Sequence, residues 1–341
     1  MGETVQTFRF DQVDGDLSNV FDVYDPQAAL TEWNGERVLR LGGGKPVLVA
    51  SRAPDIPFRL TCEVAILERE GFAGCVFGAE SPQNYATVYL YPEAGSSGMI
   101  QYDCSMNGSM TWQLFHGPGY QQQAEVPVQT WIRLRVDVYA SHAEVFAGET
   151  DRPQLTIRPL LNGFNGRVGV WGYLPTCVKH LSVEPIDHEA GSGAAPAPEA
   201  ALPPDVITRW EVAPAGAEEM AGAADDRLPW QPARTEENGV LNISRLFPAS
   251  TGSVLVRTTV DAPAGRIATL RFGFSDRLVL AVNGEKVYKG SCLWAPPASD
   301  GRIRPDFANV NVRLVPGANT ISGLLSVEEA GFGWGLMLAV E

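Results

Sequence analysis

Short runs of alternating apolar and polar residues constrain the fold of this 341-residue chain more than any other feature of its sequence. Examples are FRLTCEVAIL (58–67), NYATVYLY (84–91) and WIRLRVDVY (131–139). Alternation with a period of two is the pattern of a strand that buries one face, and here polar turns separate the runs at a spacing of about ten residues. No long segment repeats its apolar residues at the period of a helix. The sequence therefore predicts an all-β protein built of sandwiches.

One break in composition, at residues 187–205, divides the chain. This stretch, DHEAGSGAAPAPEAALPPD, is rich in Ala, Pro and Gly and lacks aromatic residues, which is typical of a semi-extended linker. Strand patterns lie on both sides of it, so we expect two jelly-roll β-sandwiches, at residues 1–186 and 206–341. In the second of these, Asn283-Gly284 predicts a type I′ hairpin and Pro316-Gly317 predicts a type II turn.

Charge and cysteine content narrow the classes of partner and compartment. The net charge is −14 and the pI is about 4.8, and such a surface repels the phosphates of nucleic acids and anionic membranes. No run approaches the ~20 apolar residues of a membrane span. The N-terminus lacks the basic and apolar regions of a signal peptide, so we expect a cytoplasmic protein by default, although a secreted protein whose leader had been removed would look the same. The five scattered cysteines predict neither a disulfide framework nor a zinc site.

The strand pattern at 84–91 has an unusual second face. Its core face, Ala86, Val88 and Leu90, is ordinary, but the opposite face is aromatic. The run GRVGVWGY (166–173) has the same property. The non-core faces of these two strands carry Tyr85, Tyr89, Tyr91, Trp171 and Tyr173.

Hydrogen-bonding side chains alternate in the same way on two other strands. Arg59 and Glu63 face outward at 58–67, and Gln101 and Asp103 share a face at 98–104. If these strands are neighbours, the result is an open aromatic platform edged by polar groups. Such a surface can stack on the C–H face of a sugar and bond its hydroxyls. The same pattern also follows from strand propensity alone, or from a second layer that buries the platform, and both interpretations stay open.

The N-terminal strands resemble those of a known superfamily. FRLTCEVAILEREGFAGCVFGAESPQNYATVYLY, WIRLRVDVYASHAEVFAG and GRVGVWGYLPTCVKHLSVEP occur in the order found in concanavalin A-like lectins and glucanases, and are most similar to the laminin-G-like and keto-disaccharide-hydrolase jelly rolls. The resemblance covers about half the chain, and it implies a jelly-roll fold and a carbohydrate ligand or substrate.

The C-terminal strands resemble the galactose-binding-like jelly roll, especially the sugar-binding domains attached to family-two glycosidases. SDRLVLAVNGEKVYKG, VNVRLVPGANTISGLL and GFGWGLMLAV carry this likeness. It implies sugar binding through loops at one end, for which Trp294 in the Pro-rich loop SCLWAPPASDG is the candidate contact. A structural calcium ion is compatible with the resemblance, but the sequence does not identify its ligands.

No catalytic residue and no cofactor is predicted. Glycosidases need two carboxyl groups at a fixed separation, and the nearest candidates, Glu63 and Glu68, fall on opposite faces of a strand. Asp11, Asp14 and Asp16 in DQVDGD could ligate a metal ion, although acidic turns are common without one. The leading hypothesis is non-catalytic glycan binding. The alternatives are a glycoside-processing hydrolase or lyase, and an interaction protein without a small ligand.

Overall fold

The structure, a computed structural model, is almost entirely built of β-strands. It describes residues 5–13, 16–93, 97–186, 201–215, 220, 223 and 226–341. The α-helix in this part of the chain, α1 (Ile243–Leu246), has a single turn. The prediction of an all-β, β-sandwich fold is therefore confirmed, and its sheets are antiparallel. None of the described helices is long enough and apolar enough to cross a lipid bilayer.

The chain packs into two compact units. The first contains the described residues of 1–105 and 117–198, and the second contains those of 106–116 and 199–341. The predicted linker lies mostly outside the described residues, so the boundaries at 187 and 205 stay a prediction. Sequence reasoning placed 106–116 in the first sandwich, and the structure groups this segment with the second unit.

The first fourteen strands include most of the predicted runs, together with several short strands that the alternation did not predict. They are β1 Gln6–Arg9, β2 Phe21–Val23, β3 Ala29–Trp33, β4 Glu36–Val49, β5 Phe58–Ile66, β6 Phe72–Ser81, β7 Asn84–Tyr91, β8 Met99–Met106, β9 Ser109–Met110, β10 Gln121–Gln123, β11 Ile132–Val138, β12 Ala143–Ala147, β13 Leu155–Ile157 and β14 Arg167–Pro185. The main path through the sheet of the first unit is β10-β8-β7-β6-β14-β5-β11-β12-β13.

The long strand β14 joins the two layers of the first unit. Its first part, 167–173, pairs with β6, and its second part, 176–185, pairs with β5. Register shifts between Trp171 and Thr176 mark bulges where the strand bends. We call β10, β8, β7, β6 and the first part of β14 the front layer. The second part of β14 with β5, β11, β12 and β13 is the back layer.

The inner faces of the two layers meet in the core. Cys62 of β5 and Cys75 of β6 are fully buried and are neighbours, because the Cys75 thiol and burial both raise the pKa of Cys62. The core side of β5 therefore faces the core side of β6, as in a sandwich. It follows that the outer face of the front layer and the outer face of the back layer point in opposite directions.

The second unit is also a two-sheet sandwich. Its strands are β15 Arg209–Pro214, β16 Gln231–Arg234, β17 Leu241–Asn242, β18 Ser253–Ala262, β19 Arg266–Ser275, β20 Arg277–Val282, β21 Glu285–Ser291, β22 Trp294–Ala295, β23 Ser299–Asp300, β24 Ala308–Leu314, β25 Gly317–Ser326 and β26 Gly335–Val340. One sheet has the order β16-β15-β18-β25-β20-β21, the other has the order β17-β26-β19-β24, and β22 and β23 form a separate hairpin.

Packing and turn chemistry explain why the second sandwich forms. Trp334, Phe272 and Phe274 are fully buried in a shared apolar cluster, and burying a side chain of this size contributes about 1.5–3 kcal/mol. The predicted hairpin between β20 and β21 is confirmed, because Asn283 and Gly284 have φ of 50° and 82°.

Candidate functional site

Five rings form an aromatic cluster on the outer face of the front layer. Their centroids lie 5.1–6.3 Å apart in contacting pairs. The cluster consists of Phe72 on β6, Tyr89 and Tyr91 on β7, and Trp171 and Tyr173 on β14. The alternation of β7 that the sequence predicted thus places its tyrosines on the non-core face, next to the predicted rings of β14.

A glycine in the middle strand allows the cluster to close. Gly74 of β6 pairs with Tyr89 on one side and with Trp171 on the other. A Cβ atom at Gly74 would lie 2.6 Å from the Cα of Tyr89 and closer still to the carbonyl oxygen of Val88. Because Gly74 has no side chain, the rings of Tyr89 and Trp171 approach to 5.1 Å across it.

Most of the predicted aromatic face is not open to solvent. The exposed fraction is 1% for Tyr85, 5% for Tyr89 and 5% for Trp171, whereas it is 42% for Tyr173. The prediction of an open platform is therefore wrong for the first three residues. The physical reason is ring-to-ring packing for Tyr89 and Trp171. Tyr85 lies beside the side chains of Ser105 and Trp171, and burial raises its pKa.

The predicted polar residues of β8 are also buried. Gln101 pairs with Tyr89 and Asp103 pairs with Thr87 across the β7–β8 ladder, so they do lie beside the aromatic cluster. The Nε2 of Gln101 donates to the carbonyl of Tyr102 at 2.7 Å, and the Oδ1 of Asp103 accepts from the N–H of Cys104 at 2.7 Å. Their burial leaves them little surface for a ligand.

The part of the cluster that solvent reaches is its edge, which we call the rim. It comprises the exposed Tyr173, the half-buried Phe72 and Tyr91, and the half-buried Gln121 of β10. The Nε2 of Gln121 donates to the hydroxyl of Tyr91 at 3.2 Å, and its Oε1 accepts from the N–H of Gly117 at 3.1 Å. Sequence reasoning missed Phe72 and Gln121. Phe72 has the same parity as Gly74 on β6, so alternation could have placed its ring on the outer face. The short edge strand QQQ has no alternating pattern that could have identified Gln121.

Arg59 and Glu63 are not brought to the aromatic cluster. They lie on the outer face of the back layer, which points away from the outer face of the front layer. The guanidinium of Arg59 donates to both carboxylate oxygens of Asp137 at 2.7 and 2.8 Å, and this pairing raises the pKa of Arg59. Glu63 lies 3.5 Å from the Nδ1 of His180. Alternation identified the outward direction of both side chains, but it could not identify their layer.

Trp294 belongs to a second group of rings, in the second unit. Its side chain is 47% exposed, and its ring lies edge-to-face against that of Trp112 at 5.3 Å. Phe332 contacts Trp112 at 5.5 Å. The backbone N–H of Trp294 donates to both carboxylate oxygens of Glu329 at 3.0 and 2.9 Å, which fixes the loop. Sequence reasoning missed Trp112 because it is distant from Trp294 in the chain and lies in the range assigned to the first sandwich.

A buried carboxylate supports the loop that carries Glu329. The Oδ2 of Asp276 accepts from the backbone N–H groups of Glu328 and Glu329 at 2.5 and 2.6 Å, and its Oδ1 accepts from Ser275 at 2.8 Å. Burial raises the pKa of Asp276, and these hydrogen bonds oppose that effect. The exposed indole of Trp294 is therefore held on an ordered scaffold.

The proposed metal ligands at the N-terminus have other partners. The guanidinium of Arg9 donates to Asp11 at 3.1 and 2.9 Å, and the carboxylate of Asp16 accepts from the N–H of Ser18 at 2.8 Å. Asp14 lies outside the described residues. Within the described ranges, no group of three or more His, Cys, Asp or Glu side chains is arranged to hold a metal ion.

Comparisons with known proteins give distant structural likenesses. No family model and no curated protein matches the sequence. A carbohydrate-binding module, CBM66 from Bacillus subtilis, is 11% identical with a TM-score of 0.36, over 46% of this chain and 92% of the module. A Bacillus subtilis protein of unknown function with a galectin-like fold is 8% identical with a TM-score of 0.39, over 54% of this chain and 97% of that protein. A legume lectin-like domain from Entamoeba histolytica is 12% identical with a TM-score of 0.39, over 53% of this chain and 97% of that domain. At these identities and TM-scores the likenesses carry no argument about a ligand.

Proposed function

We propose that the chain binds carbohydrate without chemical turnover, at the rim of the aromatic cluster. The observation that carries the proposal is the exposure of Tyr173, whose ring packs against Phe72 at 6.0 Å and so continues the cluster to the surface. Phe72 in turn contacts Tyr91 at 5.4 Å. These three rings present apolar surface beside the amide of Gln121, which suits a ligand with an apolar face and a hydroxyl edge.

The buried residues of the predicted site take a supporting role in this proposal. Tyr89 and Trp171 fix the positions of the rim rings, and Gln101 and Asp103 hold the strand beside them. A ring that neighbours hold in place loses little conformational freedom when a ligand binds, which favours affinity. Because Tyr85 is buried, it has a structural role in this proposal and does not contact the ligand.

The proposed affinity is modest. An aromatic contact contributes about 0.5–1.5 kcal/mol beyond the area that it buries. Two such contacts with one or two hydrogen bonds correspond to a dissociation constant on the order of 1 mM. Trp294 in the second unit is a further proposed sugar contact, because its exposed ring lies on an ordered loop.

The test compares substitutions at two equally exposed rings. Glycan-array binding and calorimetry of the positive sugars are expected to show binding to the wild type, loss of about tenfold or more in Tyr173→Ala, and little change in Tyr173→Phe. Phe307→Ala is the matched control, because Phe307 is also 42% exposed but lies in the second unit. Unchanged sugar binding in Tyr173→Ala would refute the rim as the site.

The alternative function, a glycoside-processing hydrolase, requires catalytic groups that sugar binding does not. A glycoside-processing hydrolase needs two carboxyl groups across the scissile bond, and the four residues of the rim include no carboxylate. Incubation with a panel of disaccharides and keto-sugars distinguishes the two functions. Product formation by the wild type would replace the binding proposal with an enzymatic one.

A further inference from the structure

A small pocket lies on the outer face of the back layer, away from the aromatic cluster. Its volume is about 180 Å³, and it is bounded by β11, β12 and the turn that follows β12. The residues that line it are Arg133, Arg135, Phe146, Gly148, Glu149, Thr150 and Asp151. Two guanidinium groups in one small pocket are the observation that needs an explanation.

Arg135 is a half-buried cation, and its buried Nε–H has no hydrogen-bond acceptor among the described residues. Its side chain is 16% exposed, and its Cζ lies 3.6 Å from the centroid of the Phe146 ring. The buried Nε of Arg135 has no hydrogen-bond partner in the part of the chain that the structure describes. The Oδ1 of Asp137 is 3.7 Å away, and Arg59 already binds both oxygens of that carboxylate. Buried N–H donors are normally hydrogen-bonded, so the Nε–H of Arg135, which has only this distant ion pair with Asp137, lacks the acceptor that its position calls for.

Arg133 adds a second donor on the same face of β11. It lies two residues from Arg135, and alternation therefore points both side chains to the same side of the strand. Arg133 is 3.7 Å from the Oε2 of Glu149, beyond hydrogen-bonding distance. A guanidinium carries five N–H donors in a planar fork, which matches the two oxygens of a carboxylate or the oxygens of a sulfate.

The two acidic residues that line the pocket do not neutralise the positive charge of its arginines. Glu149 is 84% exposed, and Asp151 is also exposed, so water and salt screen their charges. The charge of Arg135 is screened less because the side chain is half-buried. The interior of the pocket therefore favours an anion, whereas its entrance is mixed. Burial lowers the pKa of Arg135, and the nearby carboxylate of Asp137 opposes that effect.

We propose that this pocket binds an oxyanion, either the carboxylate of an acidic ligand or a sulfate group. Arg135 would bind it at the base of the pocket, and Arg133 would bind it at the entrance. Phe146 would hold the Arg135 guanidinium in place from the other side. The site does not depend on the proposed sugar binding at the rim, because the two lie on opposite outer faces of the sandwich.

The experiment titrates two anionic probes and one neutral probe. Sodium glucuronate, sodium sulfate and glucose are added to the full chain at constant ionic strength, and the arginine Nε–H resonances are followed by NMR. We expect a saturable shift of the Arg135 resonance with at least one anion, with a dissociation constant on the order of 1 mM, and no shift of that resonance with glucose. A response to glucuronate alone would identify a carboxylate site, and a response to sulfate alone would identify a sulfate site.

Variants then test which residues bind the anion, with calorimetry as the readout. Arg135→Gln is expected to weaken binding about tenfold or more, and Arg135→Lys less, because it keeps the charge without the fork. Glu149→Gln is expected to strengthen binding. Arg313→Gln removes an exposed arginine from the second unit and is expected to change nothing. Far-UV circular dichroism and thermal unfolding confirm that each variant is folded.

Two outcomes would overturn the proposal. One is the absence of any saturable shift with either anion. The other is unchanged anion binding in Arg135→Gln and Arg135→Lys. If Tyr173→Ala, and not Arg135→Gln, abolishes glucuronate binding, the anion occupies the rim, which refutes this pocket but supports the proposed function.

Discussion

Gly74→Ala tests whether the aromatic cluster depends on the missing side chain of β6. A Cβ at this position would approach backbone atoms of Tyr89 and Val88 to 2.6 Å or less, and backbone cannot rotate away as a flexible side chain can. The strands β6 and β7 must then separate locally. Overpacking of a well-packed site costs about 1–3 kcal/mol, and weaker packing of Tyr89 on Trp171 adds about 0.5–1.5 kcal/mol. The expected loss in free energy of unfolding is therefore about 2–4 kcal/mol.

Urea denaturation measures this loss. With a slope of about 2 kcal/mol per molar, the midpoint is expected to fall by about 1–2 M. The near-ultraviolet circular dichroism of the aromatic rings should weaken as well. Gly119→Ala is the matched control, because a Cβ at Gly119 meets nothing within 4 Å and its φ is not in the left-handed region. A Gly74→Ala protein that unfolds at the wild-type midpoint would refute this account of the cluster.

Two further predictions concern carboxylates with structural roles. Asp25 is buried and accepts the backbone N–H groups of Gly42 and Gly43, so Asp25→Ala should lower the free energy of unfolding by about 2–4 kcal/mol in urea titration, and the exposed Asp55→Ala should not. The paired guanidinium of Arg304 lowers the pKa of Asp300 to about 2, so this pair stabilises the fold above the unfolded pKa, and its contribution is lost as the pH falls through about 2. The midpoint temperature of thermal unfolding, measured from pH 5 to pH 2, should therefore depend less on pH in Asp300→Asn than in the wild type.

Alternation made much of the strand content and one hairpin predictable. A strand has only two faces, so the sequence of β7 specifies which residues share a face with Tyr89. Turn chemistry was equally local, because Asn283-Gly284 supplies the two positive φ angles that a tight hairpin needs. These features depend on a few neighbouring residues, and a single sequence contains that information.

The site was less predictable, because alternation gives a side chain's direction but not what lies over it. Arg59 and Tyr89 both point outward, yet they lie on opposite layers of the sandwich. Tyr85 has the same parity as Tyr89, but it is buried beside the side chains of Ser105 and Trp171. The grouping of Trp112 with Trp294 joins residues far apart in the chain, and no local pattern predicts such a pairing.

The burial pattern limits the ligand that the front layer can bind. Gln101, Asp103 and Thr87 have hydrogen bonds to backbone groups of their own or neighbouring strands. A ligand that opened this row would have to replace those bonds and separate the rings above them, at a cost of about 1–3 kcal/mol for each buried group left unpaired. Contacts at Tyr173 and Tyr91 cannot offset several such losses. The proposed ligand therefore binds across the rim as one or two sugar rings, and a long polysaccharide chain running along the face of β7 is excluded by the same energetics.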